Sequence, residues 1–201
     1  MPRRTPEATE RLRAGLIDHA RTLVRRDGAA ALTMRALAAE AGCAVGLLYK
    51  VFDDREELVV EIAVTELGDL GRRMAAWAAE AGARSVGENL DLYASILLDA
   101  ELPGLAYAES LDAKRLAARL AESAEASTFF DSLGDAVAAY LEREKAAGRV
   151  REDIDGPAFG FAIAGAIHNL VASGPGYPRP TRPELTAHLH AMASAITTDS
   201  T

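Results

Sequence analysis

One cysteine, Cys43, stands alone in 201 residues. It excludes an intramolecular disulfide and fits a reducing compartment. Long hydrophobic runs are missing as well. The longest uninterrupted apolar stretch, 158–167, has ten residues, well short of the ~20 that a bilayer-crossing helix needs. The opening residues MPRRTPEATERLR carry charge with no apolar stretch behind it, so no secretory signal is expected. The chain reads as cytoplasmic, with no membrane partner. Catalytic signatures are equally scarce: no phosphate loop, dinucleotide fingerprint or serine elbow occurs. Of the four histidines, His188 and His190 are two apart on a helical segment and point in different directions, a poor metal pair. Neither an enzyme nor a metal or other cofactor is expected.

Alternating apolar and polar residues, the mark of strands, never persist beyond a few positions. Apolar residues instead recur three and four apart in an alanine-rich background, which predicts an all-α protein of about nine or ten helices. Thr5-Pro6-Glu7 reads as an N-cap, a proline at the first helical position and an acidic first turn, and Asp27-Gly28 closes the helix it opens. Short helices follow from Thr33 and over 45–52, then a long one after Asp53-Asp54. Ser85-Val86-Gly87-Glu88 is a capping box. A break is expected at Pro103-Gly104, and another somewhere between 105 and 126. Phe130, Leu133, Val137 and Leu141 mark a further helix, Pro157 opens one that is apolar nearly all round, and Pro183 opens the last.

Net charge is −8, but it is unevenly spread. Residues 1–55 hold ten Lys/Arg against seven Asp/Glu, a balance of +3, and residues 56–201 hold twelve against twenty-three, a balance of −11. A mildly basic head followed by a strongly acidic remainder is the asymmetry expected when one end meets a polyanion that the rest repels. This divides the chain into a helix-turn-helix domain, 1–55, and a helical domain, 56–201.

Two short helices that cross closely need a small residue at the crossing, a turn residue tolerant of positive φ, and apolar residues filling the angle. Ala38 is the small residue, Gly42 the turn, and Leu37, Ala41, Cys43, Leu48 and Val51 take inward positions. Ala44, Val45, Gly46, Leu47, Tyr49 and Lys50 are left facing outward or partly so, at the start of the helix that would enter a DNA major groove. Thr33, "ALAAEAG", Gly46-Leu47-Leu48-Tyr49-Lys50-Val51-Phe52, Asp53-Asp54, Arg55 and Leu58 together resemble the DNA-binding domain of the TetR family of bacterial transcriptional regulators, over about residues 10–60.

The resemblance implies phosphate contacts from Thr33, Tyr49 and Arg55. Arg35 is placed to add another, and Arg3 and Arg4 form a basic arm able to reach the backbone or minor groove. This chain departs from the family at Ala44, Leu47 and Val51, where serine, threonine or serine, and histidine are frequent. The reading helix keeps Lys50 as its one long polar side chain, with apolar contact from Ala44, Val45 and Leu47. A helix-turn-helix scaffold that binds protein or ligand without specific DNA recognition is the alternative reading.

The family's remaining helices pair subunits and enclose a small-molecule pocket, which implies a palindromic double-stranded DNA operator bound by a homodimer, a small-molecule effector and, as the usual output, repression. The all-apolar segment PAFGFAIAGAIHNLV needs cover on every side. It is expected to pair, with the preceding helix, against the partner's copies through about 129–147 and 157–173. Trp77, Tyr93, Leu97, Tyr107, Phe161, His168 and Asn169 are the candidate pocket residues, apolar with a few polar groups.

Overall fold

The computed structural model describes residues 5–172 and 176–198. Arg3 and Arg4 lie outside the described residues, as do the side chains of Tyr107, Phe130 and Leu133. The protein is all-α, with nine α-helices among the described residues: α1 (Pro6–Asp27), α2 (Met34–Glu40), α3 (Val45–Leu48), α4 (Arg55–Ala79), α5 (Val86–Leu98), α6 (Pro103–Glu122), α7 (Ala124–Ala146), α8 (Gly156–Ala172) and α9 (Arg182–Ile196). A 3-10 turn, Ala29–Ala31, joins α1 to α2. The break expected between 105 and 126 falls at Ser123, so α7 begins six residues before Phe130. None of these helices is long and apolar enough to cross a membrane.

Sequence caps set most of the boundaries. Thr5 accepts from the Ala8 amide, Ser85 and Thr181 form reciprocal boxes with Glu88 and Glu184, and Gly28 closes α1 at φ 84°. The start of α6 is different. Leu102 precedes it with no capping side chain. The carboxylate of Glu66 on α4 fills that role, accepting from the Gly104 amide at 3.1 Å and the Leu105 amide at 2.9 Å. The approach requires glycine: a Cβ on Gly104 would strike Ile62 and Glu66. Burial raises the Glu66 pKa above its ordinary 4.5, against the pull of the two amides and of Arg21 and Arg25.

The chain forms two compact units. The first comprises residues 1–68 and 101–127, the second 69–100 and 128–201. In the first, the head unit, Leu16, Ile17, Ala20, Leu23 and Val24 of α1 pack with Leu37 of α2, Leu48 and Phe52, Leu58 and Ile62 of α4, and Ala108 and Leu116 of α6. Helix α6 joins this core through contacts distant in the chain.

In the second unit Trp77 sits between Tyr93 and Tyr140, with ring centroids 4.9 and 4.8 Å away. Its indole donates to the Asn89 carbonyl at 2.8 Å, and the Asn89 amide donates to the Tyr140 hydroxyl at 3.1 Å. Burial pushes both phenol pKa values up. Glu144, fully buried, takes a two-pronged bond from Arg149 and accepts from the Gly82 amide. Helices α7 and α8 meet closely at Gly160, where a Cβ would lie 2.7 Å from the Ala138 nitrogen.

Glu66→Ala is expected to destabilise the protein by about 1–3 kcal/mol by stranding two amides. Because the folded carboxyl titrates above its unfolded value, its contribution is full below about pH 4.5 and declines as pH rises through the folded pKa. The gap in melting temperature between wild type and variant should therefore be wider at pH 4 than at pH 8.

Candidate nucleic-acid interface

Helix α2 opens at Thr33, whose hydroxyl oxygen accepts from the Ala36 amide at 3.0 Å. It closes in a left-handed turn of two reciprocal bonds. The Cys43 amide reaches back to the Ala38 carbonyl at 2.9 Å and the Gly42 amide to Ala39 at 3.3 Å, with Gly42 at φ 61°. Leu37, Ala38 and Leu48 are buried at the crossing, and Ala41, Cys43 and Val51 are half-buried against them. Helix α3 begins at Val45 and tightens after Leu48, with Val51 and Phe52 both donating back to the Leu48 carbonyl.

This corner is held from outside. Arg13 of α1 donates to the Val51 carbonyl at 2.7 Å and to Glu57 at 2.8 Å, lies 3.4 Å from Glu61, and stacks over the Phe52 ring at 4.8 Å. Burial opposes its charge, yet the carboxylates of Glu57 and Glu61 outweigh that and raise its pKa. Arg119 of α6 donates to Glu61 at 2.8 Å. On the other side, Asp54 caps α4 by accepting from the Glu57 amide at 2.7 Å. Nothing in the local sequence marked Arg13: its partners lie 38 and 44 residues away.

The outward surface matches much of the expected set. Thr33, Arg35, Ala44, Gly46 and Lys50 are exposed, and Tyr49 is 57% exposed. Val45 and Leu47 are half-buried, Val45 packing against the head core. Arg55, expected at a phosphate, is half-buried. Its guanidinium turns inward to the carbonyls of Leu32 and Ala29, the latter at 3.5 Å, and so fixes the turn that presents Thr33.

Six of the seven candidate pocket residues have described side chains, and these six are not gathered in one place. Trp77, Tyr93 and Leu97 are buried in the second unit, the rings packed on one another. Phe161, His168 and Asn169 lie exposed on α8. The reason is the register of α8: Gly160, Ile163, Ala164 and Ile167 take its buried side, which turns the other three out. No group of three metal-ligating side chains is placed to hold an ion among the described residues.

Residues 16–62 match a family described as bacterial regulatory proteins, tetR family. No curated protein matches the sequence. Among solved structures, a TetR-family transcriptional regulator from Pectobacterium atrosepticum is similar at a TM-score of 0.61 and 21% identity, over 96% of this chain and 95% of its own. A transcriptional regulator of the same family from Cytophaga hutchinsonii gives 0.62 at 14% identity, over 98% and 100%. A protein from Saccharomonospora viridis, in complex with choline, gives 0.56 at 14% identity, over 94% and 99%. At these identities the likeness is one of fold.

Removing the guanidinium that holds the corner, in Arg13→Ala, is expected to lower stability by about 2 kcal/mol, because it strands the Val51 carbonyl and takes one cationic partner from each of two part-buried carboxylates. The loss would appear as a lower urea midpoint with an unchanged slope. An unchanged midpoint would show that the corner stands without Arg13.

Proposed function

This chain is a DNA-binding transcriptional regulator of the TetR family, with its helix-turn-helix at the N-terminus, and on that premise we propose that it is a ligand-responsive repressor that grips a palindromic operator as a homodimer. In this reading Thr33, Arg35 and Tyr49 meet phosphates, with the Arg3–Arg4 arm following the backbone. Ala44, Val45, Gly46, Leu47 and Lys50 face base edges, and Arg55 positions Thr33.

The observation that carries the dimer is the outward side of α8. Phe161 is 78% exposed and Val171 47%, with Ala158, Ala162, Gly165 and Ala166 exposed around them. An apolar patch of this kind on a folded chain marks an association surface, and the small residues allow a second helix to approach closely. His168 and Asn169 on the same helix are then available for hydrogen bonds across the two-fold axis. The described outward positions of α7, namely Asp135, Ala139, Glu142, Arg143 and Ala146, are small or charged, so α8 supplies the apolar part of the pairing. Two heads joined this way would meet successive major grooves about 34–36 Å apart.

An effector that altered that spacing would lower DNA affinity by favouring the other arrangement. The choline bound to the Saccharomonospora viridis protein supports a small organic molecule as the effector class.

The test joins sedimentation to fluorescence anisotropy on the DNA flanking the chain's own gene, against a scrambled duplex at several salt concentrations. Wild type should sediment as a dimer and prefer the native fragment. Phe161→Glu should sediment as a monomer and lose about a hundredfold in affinity for a two-half-site duplex, as the second head no longer binds in tandem. A monomeric wild type would overturn the dimer. Equal, steeply salt-dependent binding to both duplexes would return the chain to a helix-turn-helix module without base recognition in that fragment.

A further inference from the structure

The reading surface of α3 has an unusual chemistry for a protein that meets base edges. Ala44, Leu47 and Lys50 follow one another at three-residue spacing along its outer edge, and Gly46 lies exposed beside them. Only Lys50 is polar. Val45 is anchored in the core of the head unit, whereas Leu47 is half-exposed on the open side.

Gly46 has no internal reason to be glycine. Gly42, four residues earlier, needs its positive φ of 61°. Gly46 has no such φ, and a Cβ added there would meet nothing within 4 Å. In a helix glycine is the less stable choice. A glycine on an exposed surface where the protein itself leaves room lets something outside the protein come close to the backbone.

The major groove offers an apolar side chain one partner. Guanine, cytosine and adenine present donors and acceptors there, and thymine alone adds a methyl group to its acceptor. Leu47 set against a guanine or cytosine edge would strip water from polar atoms and return no hydrogen bond. Set against a thymine C5-methyl, it buries apolar surface on both sides.

Building on the DNA-binding reading above, we propose that this chain reads its operator through thymine methyl groups, held against Leu47 and Ala44 by the close approach that Gly46 permits, with Lys50 supplying the one polar contact of the α3 surface. The half-site would then be fixed by where its methyl groups stand more than by its hydrogen-bond pattern.

Deoxyuridine tests this directly, because it pairs as thymidine does and lacks only the methyl. The full-length chain would select a site from randomised duplexes, and the selected site would be remade with each thymine in turn replaced by dU. One or two positions per half-site should each weaken binding about fourfold, the equivalent of one buried methyl group. Leu47→Ala should bind the thymine and uracil versions of those positions alike, whereas Arg35→Ala, which alters a phosphate contact, should keep the fourfold difference.

Gly46→Ala should melt higher than wild type while binding at least about fivefold more weakly, since the added methyl meets DNA and not protein. That opposition of stability and affinity is one a folding defect cannot produce. A selected site indifferent to uracil at every position would overturn the methyl readout and leave sequence-specific binding standing. Failure to enrich any sequence would overturn both readings together.

Discussion

Arg13 reaches from the first helix to the Val51 carbonyl, to Glu57 and to Glu61, with Phe52 beneath its guanidinium. Helix α3 spans four residues, far too few to be stable alone. Its orientation is therefore borrowed from its neighbours. The Gly42 turn sets where it starts, Leu48 and Phe52 pin its inner side in the core, and Arg13 satisfies the carbonyl at its far end. Because Glu61 also receives Arg119, the same cluster of charges draws on α1, α4 and α6. Ion pairs of this partly exposed kind add little stability each. Their value here lies in geometry, since in the proposed reading the surface they hold faces base edges and tolerates little rotation.

Much of this corner was legible in the sequence because turn chemistry is local. A cap, a small crossing residue and a glycine four positions on say where two short helices meet, and Thr33, Ala38 and Gly42 occupy those places. What escaped sequence reading depends on distant partners. Arg55 looked like a cation on the surface, but its acceptors are main-chain carbonyls of Ala29 and Leu32, which carry no side-chain signature. Glu66 is indistinguishable in sequence from other helical glutamates until the fold brings Gly104 and Leu105 to it. The described pocket candidates lie apart for a related reason. A helix apolar all round, as α8 is, has no periodicity to say which side is buried, and the packing of Gly160 on Ala138 decided it.

In the proposed reading, charge and shape divide the labour of recognition in this chain. The basic balance of residues 1–55 and the acidic balance of the rest favour an approach with the N-terminus forward. Phosphate contact then supplies affinity that depends on salt and not on sequence. A reading helix with one long polar side chain has few strong hydrogen bonds with which to discriminate, so the closeness of its fit matters more. In that reading the exposed glycine and the tightly held corner serve the same end.

The carboxylate of one helix capping another has a consequence for how the protein can be made. Residues 101–127 belong to the head unit, and Ala108 and Leu116 help to fill its core. The DNA-facing part is consequently not a cassette finished early in synthesis. A ribosome that has released only the first 68 residues has delivered the turn and the reading helix, but neither the helix that packs against α1 and completes the head core nor the amides that Glu66 receives. The head matures only after the intervening segment has emerged, and a graft of the first three helices onto another protein would carry an open flank with it.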